Sequence, residues 1–525
     1  MGIAEPQQVH AIPLGLDDPN ISVDELQLRA QGHLGELPRQ FSVFATLALA
    51  FSITNTWIGY SATFVTPLFA GAGRAVICCL ILACVACTII ALGLAELASA
   101  FPSSGGQYHF VFMVSPEKYR APIAFTTGWL SSFGWLFTTA STVVFCAQSA
   151  VVIAGFYHPD YVYTQWQVYL IYAFITFVSC LLIIFLPRWV PTAEKTFLLI
   201  SLVGMVVAFV TVVSTSDKKQ PATVLSDWHN VTGWPDGLAF LLATGQAMYG
   251  FLGMDGATHI AEELPNPGKN VPRILVLIML IGTCTSIPWT VAFMFSTNDL
   301  DAVGSSLLPI FTVFEQAINS KSAATFFTVW IIFIYYGALI SCFVTSGRLL
   351  WAFSRDNGLP YSKVFSKVHP TLNAPVNATI LAGVFIGLFG LFIVALAILS
   401  SNITCTIPQT IVLFRGRHVL PDRYFDLGKI FGPFCNTFST LYVSLFAVLF
   451  CFPIFLPSET SSMNYVSVVL VGCLLFIAAL WWGGKRNVFT GPNVQIEGLE
   501  ILGTINKGEL RRSEPGVAGQ KFGHT

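Results

Sequence analysis

The sequence predicts an all-α membrane protein with about twelve transmembrane helices, on the strength of its composition, its hydropathy and its apolar runs. Of the 525 residues, 54% are apolar and only 10% are charged, whereas soluble proteins carry roughly 25% charged residues. The mean hydropathy is +0.70. Apolar runs recur along the chain, most of them reaching the roughly 20 residues that a helix needs to cross a bilayer. A net charge of −1 leaves no positive excess for binding nucleic acid.

Eleven apolar runs follow one another along the chain. They cover about 41–70, 75–101, 121–154, 167–187, 196–214, 237–261, 274–296, 325–353, 376–414, 434–456 and 464–482. The run 376–414 would extend about 58 Å as one helix at 1.5 Å per residue, which is too long for a single span. We therefore interpret it as a helical hairpin bent near Ser400, Ser401 and Asn402, which gives twelve spans.

The basic residues support the count of twelve. If both termini are cytoplasmic, only four of the 26 Lys and Arg residues lie outside: Arg74, Lys218, Lys219 and Lys321. A single span over 376–414 would place the basic residues of 415–429 outside, against the preference of Lys and Arg for the cytoplasmic side. Residues 1–40 contain no short apolar segment with a cleavage site, so we expect no signal peptide.

Two spans carry residues that favour a broken helix at mid-membrane. The first reads Ser52-Ile-Thr-Asn-Thr-Trp-Ile-Gly59, and the sixth reads Tyr249-Gly-Phe-Leu-Gly-Met-Asp-Gly256. Glycine costs about 1 kcal/mol relative to alanine in a helix interior, and Thr and Asn are also weak helix formers. Interrupted helices at matching positions of two halves indicate a transporter's binding site. The alternative is that these glycines only allow close helix packing.

Asp255 is the most informative single residue. An ionised carboxylate near the bilayer centre costs at least about 2.5–3.5 kcal/mol, so it needs a cation, a proton or a hydrated cavity. We interpret Asp255 as a group that binds and releases a proton, with a structural carboxylate satisfied by its neighbours as the alternative. The acids at the ends of the second and sixth spans are expected to be gate or loop-anchoring charges that face water. They are Glu96, Glu262 and Glu263.

The sequence gives no sign of enzyme chemistry, a cofactor or a metal site. It contains no phosphate-binding GxxxxGK[ST] segment and neither HExxH nor GxSxG. Nearly all of the twelve cysteines lie inside apolar runs, where they act as small hydrophobic residues. The N-x-[ST] match at Asn230 falls in a predicted external loop and is a candidate for glycosylation.

Four ordered blocks resemble the amino acid–polyamine–organocation permeases. The segment 96–108, Glu-Leu-Ala-Ser-Ala-Phe-Pro-Ser-Ser-Gly-Gly-Gln-Tyr, resembles the stretch after the second helix of that family. The segment 52–59 is similar to the first helix of the fungal branch that carries choline, γ-aminobutyrate and amino acids. Further matches are Asp255-x3-His259-x2-Glu262-Glu263-x2-Asn266-Pro267, and Ser346-Gly-Arg348 with Ala352-Phe-Ser-Arg355-Asp356-x-Gly358-x-Pro360. The similarity covers residues from about 35 to 485.

The resemblance implies an inverted repeat of five plus five helices, followed by two more. The expected regions are a cytoplasmic tail (1–40), a first repeat (41–214), a second repeat (237–414), helices 11 and 12 (434–482) and a cytoplasmic tail (486–525). One departure is an abnormally short link between the ninth and tenth helices. The implied substrate-binding residues are Ile53, Thr54, Asn55, Thr56, Trp57, Gly59, Phe251 and Gly253, and Asp255 takes the place of an acid tied to coupling.

These observations predict a secondary active transporter in the plasma membrane. It would import a small amino acid or an amine such as choline or γ-aminobutyrate by proton symport with alternating access. Its partners would be the solute, protons and membrane lipid. The main alternative is a nutrient sensor on the same scaffold. A channel would need repeated rings of charge along a pore, and a multi-span enzyme would need a catalytic cluster. The sequence shows neither.

Overall fold

The structure, a computed structural model, describes residues 21–158, 160–161, 163–218, 224–389, 394–458 and 463–492. Within these residues the secondary structure is helical, apart from an isolated bridge between His369 and Ala374. Ten helices are long and apolar enough to cross a membrane, and two shorter apolar helices cover Val376–Leu388 and Val466–Trp482. Together they give the twelve positions that the sequence predicts.

We number the spans in chain order. They are span 1 (Val43–Thr54 and Thr56–Thr63, continuing to residue 70), span 2 (73–100), span 3 (Glu117–Tyr157), span 4 (Gln165–Phe185), span 5 (Val190–Thr215), span 6 (Asp236–Ala247, Met248–Phe251 and Gly256–Glu263), span 7 (Pro267–Ser296), span 8 (Lys321–Arg355), span 9 (Val376–Phe389), span 10 (Val394–Arg415), span 11 (Gly428–Leu449) and span 12 (Val466–Trp482). Shorter helices cover Val23–Ala30, Gln107–Val114, Leu300–Ser305, Pro309–Ile318 and Ser362–Phe365, and 3-10 turns cover Pro187–Trp189, Arg417–Val419 and Lys485–Asn487.

Spans 1 and 2 are joined by a tight turn rather than a loop. Helical hydrogen bonding runs through 65–100, but Ala72 has a left-handed φ of 54° with ψ −153°. Gly71 lies against Trp228, whose ring would be 2.9 Å from a Cβ at that position. The turn therefore falls in the gap between the first two predicted runs.

Matching spans of the two halves pack in opposite directions, as an inverted repeat requires. Early in span 3, Gly128 lies against Phe353 near the end of span 8. Farther along span 3, Phe145 stacks on Tyr335 of span 8 with ring centroids 4.2 Å apart. Spans 2 and 7 show the same arrangement, with Ser99 beside Gly268 and Gly73 beside Met294. These pairings confirm the predicted fold class.

The hairpin of spans 9 and 10 does not bend where the sequence suggests. Ser400, Ser401 and Asn402 are buried inside the helix Val394–Arg415, so the predicted bend at these residues is wrong. Their polar groups serve packing: Asn402 donates to the Ile398 carbonyl within the helix, and the two serines lie against Gly134 of span 3. Residues 390–393, between the two helices in the chain, lie outside the described residues.

The segments that flank the twelve spans meet at one end of the bundle. His33, before span 1, has its Nε2 3.7 Å from Oδ1 of Asp356. Lys485, after span 12, donates from Nζ to the Asn357 carbonyl at 2.9 Å. Both flanks therefore pack on the loop that follows span 8. We call this end of the bundle the tail-side end.

Candidate substrate site

Span 1 is interrupted at one residue. Asn55 has φ 25° and ψ 57° and separates Val43–Thr54 from Thr56–Thr63. Asparagine enters left-handed backbone more readily than most residues. Its Oδ1 accepts a hydrogen bond of 3.1 Å from the Ser201 hydroxyl, which itself accepts from Trp57 Nε1 at 3.1 Å. Span 1 is thus broken within the predicted segment, and hydrogen bonds to span 5 hold the break in place.

Span 6 is interrupted over a longer stretch. The α-helix Asp236–Ala247 tightens into a 3-10 turn, after which Leu252 is extended (φ −61°, ψ 136°). Gly253 has φ 75°, and a Cβ there would lie 2.4 Å from Ile53 Cγ2 of span 1. Both the conformation and the close approach therefore require glycine. Helical geometry resumes at Gly256.

The two breaks lie face to face. A Cβ on Gly59 would be 3.3 Å from the Cα of Gly250, which is closer than most Cβ contacts. The glycines thus allow close packing, which was the alternative interpretation, and the helices are also broken. The broken-helix and the close-packing interpretations therefore both apply to these segments.

A small cavity lies beside the breaks. Its volume is about 20 Å³, which is room for about one water molecule. The lining residues come from spans 1, 3, 6 and 8, and none of their side chains is charged. They are Ile53, Thr54, Asn55, Gly59, Thr138, Thr142, Tyr249, Leu252, Tyr335 and Ala338.

Helix ends of opposite polarity meet at this cavity. The helix Thr56–Thr63 starts directly after Asn55, a lining residue, so its N-terminal end lies beside the cavity. On the other side of the cavity, the first helical part of span 6 ends at Phe251, so its C-terminal end lies there. An N-terminus carries partial positive charge and a C-terminus partial negative charge. Partial charges of opposite sign therefore flank the cavity.

Four of the predicted substrate-binding residues lie outside this cavity. Thr56 packs against span 7, where a Cβ on Gly282 would be 2.4 Å from its hydroxyl. Trp57 packs edge-on against Trp289 of span 7, with centroids 5.7 Å apart. Phe251 and Gly253 are also buried but are not among the lining residues. In this conformation all four pack the broken spans against their neighbours.

The sequence interpretation missed the lining residues of spans 3 and 8. Thr138 and Thr142 are four residues apart and so share one face of span 3; this spacing within a hydroxyl-rich segment is the signal that could have found them. The Tyr249 hydroxyl is 3.2 Å from the Ser141 hydroxyl and 3.2 Å from that of Tyr335. These hydrogen bonds join spans 3, 6 and 8 over the cavity.

Asp255 is 1% exposed and does not line the cavity. Its Oδ2 accepts from Gln107 Nε2 at 2.5 Å and from Trp135 Nε1 at 3.0 Å, and lies 3.2 Å from His259 Nε2. His259 Nδ1 is in turn 3.2 Å from the Ser104 carbonyl. Oδ1 has no hydrogen-bond partner among the described residues. The carboxyl group thus joins the break in span 6 to span 3 and to the helix Gln107–Val114 that precedes span 3.

Glu262 and Glu263 are paired with span 8 at the tail-side end. Arg355 donates to both oxygens of Glu262, at 2.9 and 2.8 Å. Arg348 Nε donates to Glu263 at 2.8 Å, and Gln40 donates to the same carboxylate at 2.6 Å. The two acids are 8% and 0% exposed, so the expectation that they face water is wrong. Apposed guanidinium groups from span 8 compensate for their charge.

The side chain of Glu96, at the end of span 2, binds the link between spans 10 and 11. Arg417 Nη1 donates to its Oε2 at 2.8 Å, and Arg423 Nη2 donates to its Oε1 at 2.7 Å. The backbone N–H of Leu427 donates to the same Oε1 at 3.1 Å. The carboxylate is 2% exposed, so it too is buried rather than facing water. Its partners all come from the link between spans 10 and 11.

Asn230 lies in the link between spans 5 and 6. Its amide nitrogen donates to the Trp234 carbonyl at 2.7 Å and to Asp236 at 2.9 Å. A glycan on this nitrogen would replace one or both of these hydrogen bonds. Glycosylation at Asn230 stays a prediction.

Twelve spans with two facing breaks and an enclosed site define a membrane transporter. Residues 41–476 match the amino acid permease family along most of the chain. The chain belongs to this family, which lies in the amino acid–polyamine–organocation group that the sequence blocks indicate.

Similar proteins are fungal transporters. The "Choline transporter" of Saccharomyces cerevisiae is 31% identical over 470 residues, which cover 86% of this chain and 82% of the relative. The "Swainsonine transporter" of Arthroderma benhamiae is 30% identical over 456 residues, covering 85% and 90%. The "Putative polyamine transporter" of Candida albicans is 25% identical over 528 residues, covering 96% and 94%.

Proposed function

We propose that this protein imports a small amine or amino acid across the plasma membrane by proton symport with alternating access. The observation that carries the proposal is the uncharged cavity between the breaks of spans 1 and 6. Interrupted helices at matching positions of inverted repeats are where such transporters bind solutes. The apolar outer surface, with Phe174 67% and Leu199 65% exposed, suits contact with membrane lipid.

The lining favours a solute with an ammonium group. The rings of Tyr249 and Tyr335 are at the cavity, and aromatic faces attract cations such as the quaternary ammonium of choline. The N-terminus of Thr56–Thr63 suits a hydroxyl or carboxylate oxygen. Relatives named for choline, swainsonine and polyamine transport support an amine, and γ-aminobutyrate fits the same pair of groups.

The cavity must enlarge before a solute can enter. At about 20 Å³ it has room for little more than one water molecule. The ion pairs of Glu262 and Glu263 close the tail-side end, and the hydrogen bonds of Tyr249 close the opposite side. Alternating access requires that these two sets of contacts break one at a time. The structure thus corresponds to a closed conformation of the proposed cycle.

Two further parts of the proposal concern coupling and orientation. Asp255 is the proposed coupling residue, because its buried carboxyl group joins the break in span 6 to Trp135 of span 3. Both termini are proposed to be cytoplasmic. Support comes from the position of both flanks at the tail-side end and from the preference of basic residues for the cytoplasm.

Uptake measurements test the proposal. Labelled choline, γ-aminobutyrate and spermidine would be offered to proteoliposomes containing the full chain, with and without an inward proton gradient. We expect the gradient to drive accumulation of one of them. Unlabelled amines and amino acids would then compete to define the solute class. Binding of a solute without any flux would instead support the nutrient sensor, and no binding of any compound in the panel would contradict the proposal.

A further inference from the structure

Span 5 carries a second buried carboxyl group that the sequence interpretation did not single out. Glu194 lies just over one turn from the start of Val190–Thr215 and is 0% exposed. Neither of its oxygens has a hydrogen-bond partner among the described residues. No Lys or Arg of the described chain forms an ion pair with it. Its surroundings therefore differ from those of every other buried acid in the spans.

The groups that face Glu194 come from spans 1 and 8. They are the hydroxyl groups of Ser52 and Ser341. Ser341 donates to the Gly337 carbonyl of its own helix, while Ser52 has no partner within the described residues. The titratable neighbour is the Cys342 thiol of span 8. The two hydroxyl groups and the thiol are neutral, and no Lys or Arg of the described residues pairs with Glu194 to compensate for a full negative charge.

An unpaired carboxylate does not persist in such a place. Burying an ionised group without a compensating cation is strongly unfavourable, and the group takes up a proton instead. Asp255 is different, because donors from Gln107 and Trp135 converge on its Oδ2. The two buried carboxyl groups thus have separate roles.

Glu194 also lies next to span 1, the helix that moves in the proposed cycle. Ser52 faces Glu194, and the next three residues of span 1, 53–55, line the cavity. One short segment therefore contacts the solute site on one side and Glu194 on the other. Span 5 presents Ser201 to the same break, two turns beyond Glu194 and on the same face.

We propose that Glu194 is a proton-binding site of the transport cycle, protonated while span 1 packs against spans 5 and 8 and deprotonated when span 1 moves away and water enters. This inference rests on the proposed function and adds a second protonatable group to it. The proton passes between the carboxyl oxygen and water, with no other bond made or broken. Closure of span 1 therefore requires a neutral Glu194.

Thermal unfolding of the full chain in detergent tests this site without needing a solute. The folded protein holds a proton on Glu194 that the unfolded chain loses at neutral pH, so this residue lowers stability as pH rises. We expect the apparent Tm of the wild type to fall more between pH 6 and pH 8 than that of Glu194→Gln. The control Glu315→Gln, outside the spans, should keep the wild-type slope. Equal slopes for Glu194→Gln and wild type would overturn the proposal.

Solute exchange in proteoliposomes gives the second measurement. We expect wild-type exchange to change with pH by up to about tenfold per pH unit, as one linked proton allows, and Glu194→Gln exchange to be independent of pH. The control Glu315→Gln should keep the wild-type pH profile of exchange. Sodium-dependent exchange that Glu194→Gln abolishes would overturn the assignment to a proton. If no solute is exchanged at all, the proposed function fails, while the unfolding measurement still decides on Glu194.

Discussion

Trp135 donates its indole N–H to Oδ2 of Asp255 over 3.0 Å, which links the middle of span 3 to the break in span 6. Both residues are about 1% exposed. The same indole ring packs against two glycines of span 6. An added Cβ would lie 3.1 Å from the ring at Gly253 and 3.3 Å from it at Gly256. Movement of the span 6 break therefore cannot occur without disturbing this hydrogen bond.

Replacing Asp255 with Asn tests its coupling role. We expect Asp255→Asn to lose accumulation of solute against a gradient while retaining some exchange. The change removes the charge and turns an acceptor into a partial donor toward Gln107 and Trp135. Accumulation and exchange would be measured side by side in proteoliposomes.

Trp135→Phe is the matched control for that variant. It removes one donor to the carboxyl group and keeps the carboxyl group itself, so accumulation should continue at a reduced rate. Full pH-dependent accumulation by Asp255→Asn would remove Asp255 from the coupling role.

Gly253→Ala should distort the facing breaks. A non-glycine residue at φ 75° is strained by about 1–2 kcal/mol, and its Cβ would lie 2.4 Å from Ile53. We expect transport to fall at least about tenfold, since a 1.4 kcal/mol change in an equilibrium already has that effect. Uptake and surface expression would be measured together.

Gly472→Ala is the control for this prediction. Gly472 lies in span 12, and nothing is within 4 Å of a Cβ at that position. Alanine favours a helix interior over glycine by about 1 kcal/mol, so transport and stability should be maintained. Equal losses in both variants would mean that the breaks have no special requirement for glycine.

Glu262→Gln should open the tail-side end. It leaves Arg355 as a buried charge without its bidentate partner, and breaking a buried pair costs about 3–5 kcal/mol. A cysteine at Thr142, in the cavity, should then react faster with a soluble maleimide applied from that end. The exposed Cys78 and Cys284 would be replaced by serine for this assay.

Glu96→Gln provides the comparison for the gate. Its carboxylate is equally buried and paired with Arg417 and Arg423, but it anchors a loop away from the cavity. We expect a similar loss of stability with no faster labelling of Thr142→Cys. Faster labelling in both variants would indicate general loosening of the bundle rather than a gate.

Asp356 should give the tail-side end a dependence on pH. Burial raises the pKa of this carboxyl from 3.8 to about 7, against the opposing effect of Arg355. The folded protein therefore holds a proton that the unfolded chain has lost, and stability falls as pH rises from about 4 to about 7. Asp356→Asn removes this contribution. The apparent Tm of the variant, minus that of the wild type, should increase from pH 5 to pH 7.5.

Two neighbouring histidines act in the opposite direction on the stability of both proteins. Burial lowers the pKa of His33 and lowers that of His109 to about 3. Both contribute stability that is lost as pH falls below about 6.5, in the variant as in the wild type. A Tm difference that stays constant with pH would contradict the prediction for Asp356.

The sequence alone determined the spans and the positions of the two breaks, while the inverted repeat was implied by the family resemblance. These depend on local properties, because apolar length fixes a span and weak helix formers such as Asn55 and Gly253 mark where a helix fails. The short link between spans 9 and 10 was located only roughly. Serine and asparagine at 400–402 suggest a turn by composition, but they are buried inside a packed helix.

The tertiary structure alone decided which side of each break faces the cavity and which charges are buried. In span 1, Asn55 lines the cavity while Trp57 packs against span 7, a difference that depends on where neighbouring helices lie. Glu194, beside Lys195 and ahead of the apolar run 196–214, resembles an ordinary charge at a helix end. Only the packing of spans 1 and 8 over it removes water from that carboxyl group, because burial arises from contacts between residues far apart in the chain.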